Sequence, residues 1–584
     1  MERLKLLLVY PKIPTTYWSF KYALPFVGDR SLMPPLGLIT VASMLPDYCD
    51  VTLIDVNVSQ LSDEDILEAD YVLISAMIVQ KESFQEIISR CNNLEKQVIA
   101  GGPYATTSYE QIEGVSHFIL NEAEITLPLF LEDLEAGNLK YLYEDKGKPD
   151  ITKTPIPRFD LLDINAYSTM ALQNSRGCPF NCEFCDIIEM FGRVPRYKTP
   201  EQFINEMDAI LSQGYRGPLF IVDDNFIGNK KKVKELLKCI IDWQRKNDFP
   251  FALFTEASIN VADDDELLEL MRLSNIDMIF IGLETPDDSI LSETNKNQNV
   301  KADLHESVKK IQRKGIEVLA GFILGFDNEP EDIFDRQIAF IEKAGIPMAM
   351  IGLMMALPET QLYRRLEREG RIINDSKGNN THELELNFIP TTPLEILVDG
   401  YKKVISELYS PQKYFDRCLN MLQEFPEKRE IPNSPITLSA IRALMLSLFK
   451  QGFSSYGFTY IKYVVKVFSS HRDYLAHAMS LAIKGYHLFA ITKEILLINS
   501  FNEEVICLKD DMIERLEKIF ESNAENKDIE LDNVGSHFMK KLNKLYSSSD
   551  KKMKHILNEY HLNHRDEFQS LIDSKVDITV EAIF

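Results

Sequence analysis

A chain of 584 residues is too long for one compact core, and the length prior is three or four domains. Apolar residues at 45% and charged residues at 26% exclude a largely disordered or collagen-like chain. A formal net charge of −25 without a basic stripe argues against a nucleic acid partner.

The opening MERLKLLLVYPKIP is a strand-like apolar run closed by prolines, without a cleavage site, which argues against export. No window reaches the roughly 18 uncharged apolar residues of a spanning helix. The best candidate, ALMLSLFKQGF, is bounded by Arg442 and cut by Lys450. Eight cysteines are too few for a disulfide scaffold, and the expected compartment is the reducing cytoplasm, with contact at a membrane surface left open.

From residue 1 to 145, short aliphatic runs (KLLLVYP, VTLIDVN, YVLISAM, QVIAGGP, HFILNEAE) alternate with helical spacers. This predicts a doubly wound, Rossmann-like α/β domain with a parallel sheet. Ligands bind such sheets at the carboxyl ends of strands, here Asp55 to Asn57, Ser75 to Met77, Gly101 to Tyr104 and Asn121 to Glu124. A Pro- and Asp-containing connector follows over 146–166. Six further strand and helix steps over 167–371 (ALQNSRG, GPLFIVDDN, FALFTEASI, MIFIGLE, EVLAGFILGF, MAMIGLMMAL) predict a partial (β/α)6 barrel, with its chemistry at the carboxyl ends. From 372 to 584 the pattern is helical to the end. The aromatic stretch FSSYGFTYIKYVVKVF is expected in the core of a helical bundle rather than at a lipid surface.

Directly after the first barrel strand, Cys178, Cys182 and Cys185 stand at CxxxCxxC spacing. Zinc sites normally use four ligands in two pairs, and no neighbouring Cys or His pair completes one. Three thiolates suit an iron-sulfur cube with one iron left open to a substrate or cofactor. The other cysteines, Cys49, Cys91, Cys239, Cys418 and Cys507, are expected to be small buried hydrophobes. No catalytic residue is assigned beyond the cluster. Arg196 and Lys198, in RVPRYKTPEQ, are expected on a solvated face.

The triplet with Phe184 before its last cysteine resembles the cluster motif of the radical S-adenosylmethionine (SAM) superfamily. That resemblance implies a [4Fe-4S] cluster, SAM chelated on its open iron, and reductive cleavage to a 5′-deoxyadenosyl radical. It further implies SAM contacts at Asp223, Asp224 and Asn225 ending the second barrel strand, and at Glu256, Ser258 and Glu284 on the next two. The segment Gly321-Phe322-Ile323-Leu324-Gly325 is similar to the GxIxG segment beside the adenine. Leu357, in Leu357-Pro358-Glu359-Thr360, ends the sixth strand, where related sequences often carry Gly at the place of Glu359.

An α/β domain ahead of such a barrel is similar to the cobalamin-binding domain of the class B radical SAM methyltransferases. The carried-over cobalamin contacts are Asp55, Asn57, Ser75, Met77, Gly101, Gly102, Tyr104 and Glu122. The cobalt-ligating DxHxxG motif of classical cobalamin domains is absent, since Asp55-Val56-Asn57-Val58-Ser59-Gln60 has neither His nor Gly. Met33-Pro34-Pro35-Leu36-Gly37-Leu38 also resembles a recurrent stretch of that subfamily. With its helical tail, the chain looks like the branch that includes the hopanoid C-2 methylase. The resemblance implies methyl transfer to an unactivated carbon of a small molecule or lipid, with a reducing electron donor such as a flavodoxin or ferredoxin. A non-methylating oxidoreduction, cyclisation or ring rearrangement with both cofactors is the alternative, and a non-enzymatic iron-sulfur or cobalamin sensor the second.

Overall fold

The computed structural model describes residues 3–565, except 301, 377, 380, 382–383, 385, 429–430, 432–437, 522–526, 549–553, 555–556 and 559. The predicted helical pattern beyond residue 565 lies outside the described residues. Two compact units divide the chain, 1–489 and 490–584.

The first sheet contains β1 (Leu4–Tyr10), β2 (Cys49–Asp55), β3 (Tyr71–Ser75), β4 (Gln97–Gly101), β5 (His117–Ile119) and β6 (Leu142–Tyr143). Its order is β2-β1-β3-β4-β5-β6 and every pairing is parallel. Alternate side chains of each strand enter opposite faces. Leu7 and Val9 of β1 join one core with Val72, Ile74, Val98 and Phe118, while Leu6 and Leu8 join the other with Leu73, Ile99 and Phe130. Both faces are therefore covered, as an all-parallel sheet requires. The order reverses between β1 and β3, which places the crevice of this domain at their carboxyl ends.

Residues 146–166 are not a loose connector. Three single-turn 3-10 segments, Ile151–Lys153, Phe159–Leu161 and Ile164–Ala166, are tied to the first domain. The Arg158 amide donates to the Ile39 carbonyl, and Ser31 bridges to Tyr167.

The second sheet is the expected partial barrel: β7 (Met170–Leu172), β10 (Gly217–Ile221), β11 (Phe251–Glu256), β12 (Ile276–Glu284), β13 (Glu317–Leu324) and β14 (Ala349–Leu353), all parallel. The predicted run ALQNSRG breaks after Leu172. Its end, β8 (Ser175–Arg176), pairs antiparallel with β9 (Arg196–Tyr197) and carries the cysteine loop. Leu219, Leu253, Ile279 and Ile281 are wholly buried on one face of this sheet. The other face carries Phe220, Phe254 and Phe280, which remain partly accessible and line the lumen.

The tail is helical as expected, with Leu394–Leu408, Pro411–Glu424, Leu438–Gly452, Gly457–Ser470, Leu475–Glu521 and Lys527–Ser548. In the second unit, Phe501, Val505, Met512, Phe538 and Leu542 form the core. Two expectations are corrected here. Cys91 and Cys418 are buried, but Cys239 and Cys507 are exposed and Cys49 is half-buried, because their helix and strand faces turn outward. The aromatic stretch over 453–468 buries only part of its rings: Tyr460 and Tyr463 are inside, whereas Phe453, Phe458 and Phe468 are exposed.

Phe84 is fully buried in the first core, edge-on to Tyr104 at 5.4 Å. Replacing it by Ala is expected to cost about 3–5 kcal/mol. Urea unfolding followed by circular dichroism should show an early transition of the first domain.

Candidate functional site

The cysteine loop is anchored by the end of β10. Asp223 is buried, and its carboxylate accepts from the Asn174 amide at 2.7 Å, the Ser175 amide at 2.9 Å, the Ser175 hydroxyl at 2.7 Å and the Asn174 side chain at 3.1 Å. Asp224 accepts from the Gly177 amide at 2.9 Å. Gly177 has φ +95°, and a Cβ there would stand 2.7 Å from the Gly192 carbonyl oxygen, so the turn into Cys178 requires glycine. Asp223, expected at SAM, thus holds the strand that leads into the cysteine loop.

Cys182 is buried, and Cys178 and Cys185 are half-buried. The Asn225 amide group reaches the Cys178 sulfur at 3.8 Å, and that of Gln298 reaches Cys182 at 3.6 Å. Asn225 also accepts from the Ser258 amide at 3.2 Å and its hydroxyl at 3.3 Å. Burial pushes the Cys178 and Cys185 thiols up, with Cys182 adding to the effect on both and Lys296 opposing it. Among the described residues no three His, Cys, Asp or Glu side chains are gathered as the ligand set of one ion. Cys182 is thus within electrostatic reach of both other thiols, and three thiolates suit the corners of an iron-sulfur cube.

Lys296 was not legible in the sequence. It lies in the loop after β12, 2.6 Å from Glu284 and 5.8 Å from the Phe184 ring centroid. Burial works against its ammonium, but Glu284 and the thiols of Cys182 and Cys185 outweigh that and hold its pKa above the ordinary value. Glu284 has φ +65°, beside a register shift in β12, so the strand end is bent to present this carboxylate.

At the end of the neighbouring strand β11, burial and the carboxylates of Asp224 and Asp223 push the Glu256 carboxyl up to about 8. Burial raises Asp224 to about 7, opposed by its bond from Gly177. Carboxyls raised in this way suit an incoming cation such as an ammonium or sulfonium, whose charge would restore their ionisation.

Gly321 lies under the Phe280 ring, 3.0 Å from where its Cβ would be, and the Ile323 carbonyl accepts from Gln337 at 3.0 Å. Beyond them, Gly325, Phe326, Asp327, Met354, Phe184 and Arg365 line a cavity of about 260 Å³ beside the cysteine loop. The Gly325 amide donates to Glu329 at 2.9 Å, and burial pushes that carboxyl up to about 7. Leu357 starts the turn capped by Thr360, and Glu359 in that turn has φ +65°, the conformation that favours glycine.

In the first domain the expected residues divide. Asp55 is buried and accepts from the Asn57 amide at 2.8 Å, the Asn57 side chain at 2.7 Å and the Tyr167 hydroxyl at 3.0 Å, so it braces the fold. Asn57 also donates to the Pro11 carbonyl at 3.1 Å, tying β2 to the end of β1. Gly102 at φ +84° would place a Cβ 2.2 Å from the Ser75 hydroxyl, and Gly101 would place one 2.9 Å from the Ile119 carbonyl oxygen. Glycine is therefore required at both positions, and the ledge at the ends of β3 and β4 carries no side chain there. Met77 stands at that ledge with 42% of its surface exposed, and Tyr104 lies behind it against Phe84. These groups lie at the carboxyl ends of parallel strands next to the β1/β3 switch point, where such sheets bind ligands.

Glu122, expected at cobalamin, has partners within the protein. It is buried and pairs with Arg176 at 2.8 Å and Arg196 at 2.8 Å, and Glu124 pairs with Arg176 at 2.9 Å. Arg196 is therefore a half-buried partner rather than a solvated cation, and Lys198 is buried against Glu206 at 2.5 Å. The pairing joins the end of β5 to the residue two before Cys178.

The profile of the radical SAM superfamily matches residues 174–372, that of the B12 binding domain 29–131, and that of a domain of unknown function (DUF4070) 360–498. An uncharacterized methyltransferase of Synechocystis sp., sll1242, is 43% identical over 456 residues, covering 77% of this chain and 84% of its own. The hopanoid C-2 methylase of Rhodopseudomonas palustris is 33% identical over 436 residues, covering 74% and 82%. The fold is shared with the cobalamin-dependent SAM radical enzyme OxsB, solved with aqua-cobalamin and SAM, at a TM-score of 0.54 and 17% identity over 92% of this chain and 84% of that one. With radical SAM and B12 binding profiles over its two α/β domains and relatives of this identity and coverage, the chain belongs to the cobalamin-dependent radical SAM methyltransferases.

Proposed function

We propose that this chain methylates an unactivated carbon of an apolar, ring-containing lipid bound in the barrel lumen, and that it does so as a peripheral protein at a membrane surface. The observation that carries the substrate class is the wall of that lumen. Phe220 and Phe254 stack at 4.5 Å with an interplanar angle of 2°, and Trp18 from the amino-terminal domain stands edge-on to Phe280 at 5.5 Å. The Trp18 indole N–H is directed at the Met350 sulfur. These side chains offer broad apolar faces and few hydrogen bonds, which selects hydrocarbon rings and excludes water. The named activity of the hopanoid C-2 methylase, a relative covering most of the chain, points the same way.

When bound, the iron-sulfur cluster with SAM supplies hydrogen abstraction from carbon, and cobalamin supplies the methyl group. Cys178, Cys182 and Cys185 hold the iron in this reading, and Asp223 and Gly177 fix the loop that carries them. Asp224, Glu256 and Asn225 with Ser258 face the cationic end of SAM; Lys296, held by Glu284, faces its carboxylate. Phe184 and the Gly321 to Gly325 segment, with Ile323 and Leu357, border the nucleoside side. Met77, Ser75, Gly101, Gly102 and Tyr104 form the cobalamin ledge. An external flavodoxin or ferredoxin supplies the electron.

Anaerobically reconstituted protein given SAM with a deuterated methyl group should yield a lipid product heavier by one deuterated methyl. SAM cleavage with no mass gain in any lipid would remove the proposal. Trp18→Ala is expected to raise KM for the lipid about tenfold with kcat less affected, the cost of one lost aromatic face. The carboxyl of Glu256 is protonated below about pH 8 and charged above it. SAM affinity, measured by calorimetry, should therefore strengthen severalfold from pH 6.5 to 8.5 in the wild type and keep only the weaker dependence due to Asp224, raised to about 7, in Glu256→Gln.

A further inference from the structure

The helices Leu438–Gly452 and Gly457–Ser470 form a hairpin whose amphipathicity is inverted. Its inward faces are partly polar: the Ser447 hydroxyl meets the Tyr460 hydroxyl at 2.9 Å and accepts from Gln451 at 2.9 Å, and all three residues are buried. Its outward faces carry the large apolar side chains. Phe449 is 66% exposed, Phe453 84% and Phe458 86%, with Met445, Val465 and Phe468 each more than half exposed. A helix pair that packs against its own protein and otherwise faces water shows the reverse arrangement, and an apolar patch this continuous marks a contact surface.

Charge supplies a second, independent observation. From Leu438 to Arg472 the chain contains no Asp or Glu, although acidic residues outnumber basic ones 89 to 64 overall. Five cations fall in the same stretch. Lys450 lies over the Phe26 ring at 4.8 Å and Arg472 over Phe468 at 4.6 Å, and Arg442 approaches Gly28. Lys462 and Lys466 are exposed among the outward apolar residues.

We propose that this hairpin docks the protein on an anionic lipid bilayer, its phenylalanines entering the interface and its lysines meeting the headgroup phosphates. Phenylalanines interleaved with lysines, with acids absent, match an anionic interface; apposed against the same face of a second copy, Lys462 and Lys466 would meet like charges. The acidic remainder of the chain is repelled by such a membrane, so this patch sets the orientation of contact. No helix among the described residues is long and apolar enough to cross the membrane, which leaves attachment from one side. The inference places the peripheral attachment at a named surface; it rests on surface composition and does not require the lipid substrate proposed above.

The full-length protein is to be sedimented with vesicles of equal parts phosphatidylglycerol and phosphatidylcholine, and with phosphatidylcholine alone. Binding to the anionic vesicles is expected, about tenfold weaker on the neutral ones and weakened by salt. The variants Phe449→Ser/Phe453→Ser/Phe458→Ser and Lys462→Glu/Lys466→Glu should each lose about tenfold in vesicle affinity. All five positions are exposed, so unchanged melting and unchanged SAM binding are expected as the check on folding. Wild-type protein that sediments with neither vesicle, or a triple variant that sediments like the wild type, would overturn the proposal. A wild-type dimer made monomeric by the phenylalanine substitutions would overturn it as well, in favour of self-association. Methyl transfer measured in detergent micelles should be unchanged in both variants, so failure of the docking surface and failure of the substrate reading give different results.

Discussion

A single buried carboxylate sets the geometry of the site. Asp223 ends a buried parallel strand, and the folded protein takes it out of water with four donors around it, two backbone amides and two side chains from Asn174 and Ser175. A carboxylate with its acceptors filled tolerates that burial, whereas an unfilled one would cost several kcal/mol. The segment it holds leads through Gly177 into Cys178. The placement of the chain entering Cys178 therefore follows from the barrel wall.

A second constraint joins the two sheets. Each is parallel, and each offers its ligand site at the carboxyl ends of its strands. The Glu122, Glu124, Arg176 and Arg196 cluster sits between the end of β5 and the entrance to the cysteine loop, largely out of solvent. Removing one partner from such a cluster leaves an uncompensated buried charge, a cost of about 3–5 kcal/mol. The two strand-end sites are thereby held at a fixed relation, which chemistry passing between two cofactors requires. Trp18 reinforces the same relation, since it reaches from the amino-terminal domain to the barrel wall at Phe280.

The charge distribution divides the molecule in another way. A net charge of −25 keeps most of the surface repulsive to phosphates. The hairpin of residues 438–470 escapes that field, and the buried polar trio of Ser447, Gln451 and Tyr460 allows it to turn its apolar side outward. Polar residues inside and phenylalanines outside make sense only if the outside is not water alone.

Much of this was legible before any coordinates. Buried parallel strands announce themselves as short aliphatic runs, so both sheets and their order of appearance could be predicted, and the three cysteines are recognisable because their spacing and number match one chemistry. The cofactor set followed from that spacing and from the domain placed ahead of it. Other features resisted for a common reason: they depend on which residues meet across long sequence separations. Lys296 carries no motif, and only the bend at Glu284 shows that it faces the thiols. Arg196 reads as a solvated cation in the sequence, and only the fold sets it opposite Glu122, 74 residues apart. The outward phenylalanines of the tail share a helical period with core residues, and periodicity reports that a face exists without saying which side of the protein it meets. The sequence by itself determined the elements, the family and its chemistry. Only the tertiary structure decided which carboxylates brace the loop, which remain for a cation, and which apolar face stays uncovered, because burial and pairing are properties of neighbours that the chain order does not contain.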